Sequence, residues 1–184
     1  RQMPMEKTAV DINQVVREGL FFLEARCVKS GIDVEYALDD ALPLVFADAA
    51  QINQVLVNLV VNSLQAMPDG GTLRVRTETS NDRVCLSVED TGTGMSPEVL
   101  QQVFVPFFTT KDIGQGTGLG LPVAHGIVAS HGGAIEIQSE AGRGTRLEIW
   151  LPVSSTPAVR RAHRSGSPRG LPWRGCGSSS ARSP

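Results

Sequence analysis

Long hydrophobic runs, cysteines and aromatic residues are all scarce in this sequence of 184 residues, of which only 5% are aromatic. No apolar run approaches the ~20 residues that a membrane-spanning helix needs, so no such helix is predicted. The N-terminus also lacks the basic, apolar and small-residue pattern of a secretion signal. The three cysteines are odd in number and widely spaced, at Cys27, Cys85 and Cys176, which predicts neither a disulfide framework nor a metal site. These absences favour a reducing, cytoplasmic location.

Acidic residues are absent from the C-terminal part of the chain. Six of the 17 basic residues are arginines that follow Pro157, and no aspartate or glutamate accompanies them. The remaining sequence holds 11 basic and 19 acidic residues, a net charge of about −8, which does not favour nucleic acid as a partner. Residues 153–184 are rich in Ser, Gly, Pro and Arg, a composition that predicts a disordered tail. Residues 7–152 are therefore expected to form one folded domain.

Hydrophobic periodicity predicts both helices and strands within residues 7–152. Asp11 and Asp48 each precede an apolar pattern with three- and four-residue spacing and are expected to cap two helices, and a third helix is predicted over residues 119–130. Alternating apolar residues predict strands at 32–37, 44–46, 73–77, 84–88, 134–139 and 145–151. We therefore expect an α+β fold, a two-layer α/β sandwich in which about three helices cover one face of a mixed, mostly antiparallel sheet.

Two asparagines interrupt the apolar pattern of the second predicted helix. Asn58 and Asn62 are four residues apart and so share one face of the helix, one turn apart. An asparagine carbonyl is a neutral oxygen ligand suited to Mg²⁺, which completes its coordination with water and phosphate. From the residues alone, the alternative is that both amides only bond neighbouring backbone groups.

An acidic residue and two glycines follow the strand predicted at residues 84–88. In the segment Asp90-Thr91-Gly92-Thr93-Gly94, the carboxylate lies at the strand end, and the glycines allow a sharp turn or a close approach. Such a carboxylate can accept a hydrogen bond from an exocyclic amine, worth about 1.5 to 3 kcal/mol in a dry site. Acidic-glycine turns are also common after strands, so an ordinary turn is the alternative.

A second glycine-rich segment, residues 114–120, leads into the third predicted helix. Its backbone N–H groups and the helix N-terminus can together hold an anion such as phosphate, and Lys111 lies just upstream. The spacing matches neither G-x-G-x-x-G nor G-x-x-x-x-G-K-[ST], and no strand immediately precedes it, which excludes Rossmann and Walker-type sites. Taken alone, the segment is also compatible with a flexible linker.

In this order, the segments resemble the motifs of the ATP-binding family shared by histidine kinases, gyrase-type topoisomerases, mismatch-repair ATPases and a heat-shock chaperone. Residues 51–66 (QINQVLVNLVVNSLQA) are similar to its N box, 90–95 (DTGTGM) to its first glycine box, 104–111 (FVPFFTTK) to its F box and 114–121 (GQGTGLGL) to its second glycine box. Gly144-Thr145 resembles its final glycine-threonine element. The resemblance implies the Bergerat ATP-binding fold, with ATP and Mg²⁺ as cofactors. Within the family, the chain most resembles the catalytic domain of bacterial sensor histidine kinases of the nitrogen-regulation-like subgroup.

The resemblance also implies roles for single residues. Asp90 matches the residue that holds the adenine amine, Asn62 the one that holds Mg²⁺, Thr145 one that supports a water beside the adenine, and Lys111 a phosphate ligand. Hydrolytic relatives carry a glutamate in place of Asn58, and because an amide cannot take a proton, Asn58 favours transfer of the γ-phosphoryl group over hydrolysis. Asn58, Asn62 and Lys111 are thus the candidate catalytic residues. The further candidate nucleotide contacts are Gly92, Gly94, Met95, Phe104, Phe108, Thr109, Thr110, Gly116, Thr117, Gly118, Leu119, Gly120 and Leu121.

A phospho-acceptor is missing from the sequence. No His-Glu-[Phe/Leu]-x-x-Pro segment occurs, and structural roles are expected for His125 and His131. The chain is therefore expected not to phosphorylate itself. By the resemblance, its partners are ATP, an acceptor-histidine helical domain of the same kinase and, indirectly, a response regulator, and the isolated domain is expected to be a monomer; the parent kinase is compatible with a membrane anchor. Two alternatives stay open: a protein-serine kinase of the anti-sigma type, and a nucleotide-binding interaction module without catalysis.

Overall fold

The computed structural model of the chain describes residues 6–110 and 117–154. The helices within them are α1 (Ile12–Lys29), α2 (Ala49–Ala66), α3 (Pro97–Leu100) and α4 (Gly120–Ser130). The strands are β1 (Thr8–Val10), β2 (Ile32–Leu38), β3 (Val45–Ala47), β4 (Gly71–Ser80), β5 (Arg83–Asp90), β6 (Ala134–Glu140) and β7 (Gly144–Pro152). None of these helices is long and apolar enough to cross a membrane.

The two long helices begin where the sequence predicts them to begin. Asp11 caps α1 and Asp48 caps α2. The Asp48 carboxylate accepts hydrogen bonds from the N–H groups of Ala50 and Gln51, at 3.0 and 3.2 Å. Caps of this kind satisfy N–H groups that have no partner inside the helix. The start of α2 is thereby fixed, and with it the position of the two asparagines further along.

A five-stranded sheet forms the second layer, in the order β2-β4-β5-β7-β6. β2 and β4 run parallel, and the other neighbouring pairs are antiparallel. The predicted fold class is confirmed by this mixed, mostly antiparallel sheet with its layer of helices. β1 was not predicted, because three residues carry too little alternation to indicate a strand; it pairs with β3 in a separate two-stranded sheet.

The core lies between α2 and the inner face of the sheet. Ile52, Leu56 and Leu59 of α2 are at most 1% exposed, and Leu86 of β5 and Ile149 of β7 are fully buried. Burial of such a side chain is worth roughly 1.5–3 kcal/mol. α1 and α4 each pack against α2, which makes α2 the central helix of its layer. The polar residues on α2 are therefore held by a rigid element.

The outer face of the sheet carries charged residues. Arg74 on β4 pairs with Glu35 on β2 at 2.6 Å and with Glu89 on β5 at 3.4 Å. All three side chains are partly exposed, so these ion pairs are expected to contribute little to stability. Cys85, on the same face of β5 as Glu89, is buried, and burial raises the pKa of its thiol to about 12.

His131 has a structural role, as predicted. It is 4% exposed, and its Nε2 accepts a hydrogen bond from the Asp48 N–H at 3.0 Å. The ring is therefore the tautomer with its proton on Nδ1, which donates to the Ile127 carbonyl at 2.8 Å. His131 thus joins the C-terminal end of α4 to the start of α2.

Strand pairing near the C-terminal end of the described residues includes Val153 and Ser154. Val153 forms a bridge with Val45, and the Ser154 N–H donates to the Leu44 carbonyl at 3.0 Å. Pairing therefore continues two residues beyond the predicted boundary at residue 152. The rest of the predicted tail, residues 155–184, lies outside the described residues.

Candidate functional site

A cavity of about 500 Å³ lies between α2, the segment after β5 and the start of α4. Its volume falls within the range of roughly 300–1,000 Å³ that is usual for small-molecule sites. Most of the predicted site residues line it, namely Asn58, Asn62, Asp90, Gly94, Met95, Phe108, Thr109, Thr110, Thr117, Gly118, Gly120, Leu121 and Thr145. Residues from five segments, spread between positions 58 and 145 of the sequence, are thus brought to one place.

Asp90 is the buried carboxylate of this cavity. The residue is 4% exposed, and its Oδ1 accepts hydrogen bonds from the N–H groups of Gly92 at 3.0 Å and Thr145 at 3.2 Å. Burial raises the pKa of Asp90, while hydrogen bonds from the Ser63 side chain and from these two N–H groups act in the opposite direction. A partly satisfied, buried carboxylate is a strong acceptor for a donor that enters the cavity.

The two asparagines of α2 face the first turn of α4. The Asn58 Nδ2 donates to the Gly120 carbonyl at 3.1 Å. Gly120 also lies beside Asn62, since a Cβ added at Gly120 would be 3.7 Å from the Asn62 Nδ2. Among the described residues, no group of three or more His, Cys, Asp or Glu side chains could hold a metal ion. The amide oxygens of these two asparagines are neutral ligands, which fit Mg²⁺ only if phosphate and water complete its coordination shell.

Gly94 and Gly118 are required by close backbone approaches. Gly94 has φ +63°, and a Cβ there would overlap the carbonyl of Glu140, the last residue of β6. Gly118 has φ +64°, and a Cβ there would lie 2.6 Å from the Phe107 carbonyl carbon. A side chain at either position would therefore push apart two walls of the cavity.

The F-box segment is joined to the second glycine box through the backbone. The Phe107 N–H donates to the Gly118 carbonyl at 3.0 Å, and Phe107 itself has the unusual φ of +68°. This contact brings the two ends of residues 108–117 together. Lys111 and Gly116, both predicted site residues, lie outside the described residues.

Three predicted contacts do not line the cavity. The ring of Phe104 packs on His125 instead, with centroids 5.3 Å apart. Leu119 occupies the N-cap position of α4. Gly92 lies so close to the Ala66 carbonyl that a Cβ on it would be 2.5 Å from that oxygen. These residues shape the loops around the cavity without forming its wall.

The wall also contains residues that the sequence did not indicate. Ser63 lines the cavity and is 2% exposed. Its signal in the sequence was a polar residue directly after Asn62 in an apolar run. The apolar part of the wall was missed because its members are ordinary core-type residues spread over several elements. They are Val61, Ala66, Val99, Val103, Pro122 and Leu147.

Comparison with known proteins finds relatives for most of the chain. Residues 47–155 match the family described as histidine kinase-, DNA gyrase B-, and HSP90-like ATPase. The chain is 38% identical over 148 residues to the sensor histidine kinase ZraS of Escherichia coli (strain K12), an alignment that covers 80% of this chain and 31% of ZraS. The chain thus spans about a third of the length of this curated relative.

Two solved structures share the fold. The catalytic domain of the histidine kinase ThkA has a TM-score of 0.73 and 34% identity, and the match covers 80% of this chain and 96% of that domain. Full-length ShkA in complex with AMPPNP has a TM-score of 0.73 and 27% identity, and the match covers 83% of this chain and 32% of that one. The predicted Bergerat fold is confirmed by these neighbours.

Proposed function

We propose that this chain, which belongs to the histidine kinase-, DNA gyrase B-, and HSP90-like ATPase family, binds ATP with Mg²⁺. As a catalytic domain of the sensor histidine kinase kind, it provides the γ-phosphoryl group that is transferred to a histidine. The acceptor histidine lies on a separate helical domain of the same kinase, and a response regulator receives the group afterwards. The domain works in the cytoplasm, is a monomer in isolation, and belongs to the nitrogen-regulation-like subgroup.

The observation that carries this proposal is the buried carboxylate of Asp90 in a cavity whose other described lining residues are uncharged. Among the described residues that line the cavity, Asp90 alone is ionisable. A purine with an exocyclic amine presents the donor that this carboxylate lacks, and the apolar wall accommodates its ring. Thr145, which donates its N–H to Asp90, stands beside this end of the cavity.

The opposite end of the cavity suits phosphates. α4 starts at Gly120, and no side chain caps its N-terminus. Its first N–H groups and the positive end of the helix dipole are therefore available to an anion, together with Thr117 and Gly118 on the cavity wall. Asn62 would contribute an oxygen to Mg²⁺, and the ion would neutralise charge on the phosphates.

Transfer rather than hydrolysis is supported by the absence of a general base among the described residues near the phosphate end. Hydrolysis needs a group that takes a proton from water, and the Asn58 amide cannot do so. Its Nδ2 already donates to the Gly120 carbonyl. In the described part of the cavity wall, no carboxylate other than Asp90 is present. Asp90 would bind the adenine and so would lie away from the phosphates. Positioning and charge stabilisation suffice for transfer to a delivered acceptor.

Titration calorimetry with a non-hydrolysable ATP analogue tests the binding part of the proposal. We expect the wild-type chain to bind in the micromolar range, Asp90→Ala to lose binding, and Asn62→Ala to bind more weakly only when Mg²⁺ is present. Unchanged affinity in Asp90→Ala would show that the adenine assignment is wrong. An Asn62→Ala effect that is equal with and without Mg²⁺ would show that Asn62 does not hold the ion.

A transfer assay tests the catalytic part. The chain is mixed with ATP, Mg²⁺ and a separately produced acceptor-helix domain of a sensor kinase, and the phosphoprotein is exposed to acid. Phosphohistidine is acid-labile, so we expect the label to be lost. Acid-stable label on a protein partner would favour the serine-kinase alternative, and ATP binding without transfer to any partner would favour the interaction module.

A further inference from the structure

A row of three polar residues crosses the inner face of the sheet at the end of the cavity that contains Asp90. Asp90 on β5 is the register partner of Thr145 on β7, and Thr145 is the register partner of Ser139 on β6. Ser139 takes the place where the inner face of β6 would otherwise continue the apolar pattern of Ile135 and Ile137. Ser139 itself does not line the cavity. Ser139 would therefore act on a bound ligand only through a neighbour that lines the cavity, such as Thr145.

The Ser139 hydroxyl has three polar neighbours and only one proton. Its Oγ accepts a hydrogen bond from the Met95 N–H at 2.9 Å. It also lies 3.0 Å from the Gly144 carbonyl and 2.9 Å from the Thr145 Oγ1. A carbonyl oxygen can only accept, so the Ser139 proton satisfies Gly144. The Thr145 hydroxyl then completes the set by donating its own proton to Ser139.

The direction of the Thr145 hydroxyl follows from this arrangement. With its proton directed at Ser139, the Thr145 Oγ1 presents only lone pairs towards the cavity. The adjacent Asp90 carboxylate is also an acceptor. The Asp90 end of the cavity therefore presents two neighbouring hydrogen-bond acceptors. These suit a ligand with donors, such as an exocyclic amine or a water molecule that is bound to the adenine.

We propose that Ser139 is a positioning residue for adenine recognition, which acts by holding the Thr145 hydroxyl as an acceptor. The inference rests on the proposed ATP binding, which it deepens. The position of the segment after β5 does not depend on Ser139 alone, because the Gly142 N–H also donates to the Thr93 carbonyl at 2.7 Å. Loss of the Ser139 hydroxyl should thus leave the fold intact and affect the orientation of the groups that contact the nucleotide.

A double-mutant cycle between Ser139 and Thr145 tests this proposal, with the same ATP analogue and Mg²⁺ in calorimetry. Ser139→Ala is expected to weaken binding about three- to tenfold, as is usual for one lost hydrogen bond. The matched control, Ser139→Thr, keeps the hydroxyl and is expected to bind within about twofold of wild type. In a Thr145→Val background, Ser139→Ala is expected to change the affinity by less than about twofold, because its partner is already absent.

A second ligand separates adenine recognition from general loosening of the site. For a purine riboside triphosphate analogue, which lacks the exocyclic amine, Ser139→Ala is expected to cost less than it does for the adenine analogue. Thermal unfolding, followed by circular dichroism, checks that each variant is folded. If Ser139→Ala does not fold, Ser139→Cys takes its place, since it keeps the volume and weakens the hydrogen bonds; the same difference from Ser139→Thr is expected.

The possible outcomes separate the role of Ser139 from the binding of ATP. If wild type does not bind, or if Asp90→Ala binds as well as wild type, the ATP-binding proposal itself fails. If Asp90→Ala abolishes binding but Ser139→Ala binds like wild type, only the role of Ser139 is refuted. The same holds if the effects of Ser139→Ala and Thr145→Val multiply independently, or if Ser139→Thr is as weak as Ser139→Ala.

Discussion

Replacement of Asp90 by asparagine should separate the binding role of this residue from its role in the fold. The side chain introduced by Asp90→Asn would keep one oxygen for the N–H groups of Gly92 and Thr145, which are 3.0 and 3.2 Å from the carboxylate Oδ1. The second carboxylate oxygen becomes an NH₂ group, which donates and cannot accept from an adenine amine. The loss of a hydrogen bond to a charged group, about 1.5–3 kcal/mol, corresponds to affinity weakened about ten- to a hundredfold.

The same substitution is expected to stabilise the empty domain at neutral pH. Burial raises the pKa of Asp90 in the folded state, so its contribution to stability is fully present below the ordinary aspartate pKa and is lost as the pH rises through the raised value. Asparagine does not titrate and buries no charge. The stability of Asp90→Asn relative to wild type should therefore increase as the pH is raised from about 3 to about 7.

Calorimetric titration gives the affinities, and urea unfolding at several pH values gives the stabilities. Glu89→Gln is the matched control, because it removes a neighbouring carboxylate from the outer face of β5, where Glu89 pairs with Arg74 at 3.4 Å. We expect this control to bind the nucleotide like wild type. Equal affinity of Asp90→Asn and wild type would refute the binding argument. A fall in the relative stability of Asp90→Asn between acid and neutral pH would refute the burial argument.

Three further predictions concern other parts of the structure. Gly94→Ala should lower the unfolding temperature and weaken nucleotide binding, because φ is +63° there and a Cβ would overlap the Glu140 carbonyl. Its control, Gly126→Ala on α4, has nothing within 4 Å of the added Cβ and should raise stability by about 0.5–1 kcal/mol; a loss in both variants would contradict this contrast. Burial raises the pKa values of Cys27 and Cys85, so a thiol reagent at about pH 8 should modify at most one of the three cysteines before unfolding. Tyr36 is the single tyrosine, and its partial burial and its bond to Glu24 raise its pKa to about 12. Its ultraviolet absorbance should therefore still be that of the phenol at about pH 10.5, and a phenolate spectrum in the folded protein would contradict this.

Much of the fold could be predicted because its signals are local. The caps at Asp11 and Asp48 and the glycines after α2 and α4 lie within a few residues of the elements that they bound. The parallel pairing of β2 with β4 has no such signal, since it depends on how α2 crosses the sheet.

The candidate site shows the same division between local and distant information. Asp90 and Asn62 could be identified because each stands out within its own segment, as a carboxylate at a strand end and as an amide in an apolar run. Ser139 could not, because its role depends on the register of β6 and β7, which places its hydroxyl beside the Thr145 Oγ1. A serine in a strand does not indicate which side chain will lie beside it on the neighbouring strand.

The hydrogen bond from the Thr145 N–H to Asp90 joins residues that are 55 positions apart. A contact of this separation closes a long loop, so it forms only once β5 and β7 have paired. A partly folded chain therefore lacks the complete site that we propose for the nucleotide, and we expect the nucleotide to bind the native state alone. In stopped-flow experiments, added nucleotide should leave the refolding rate almost unchanged and slow the unfolding rate. Nucleotide concentration would then control how long the domain survives once folded, while the rate at which it assembles stays a property of the chain.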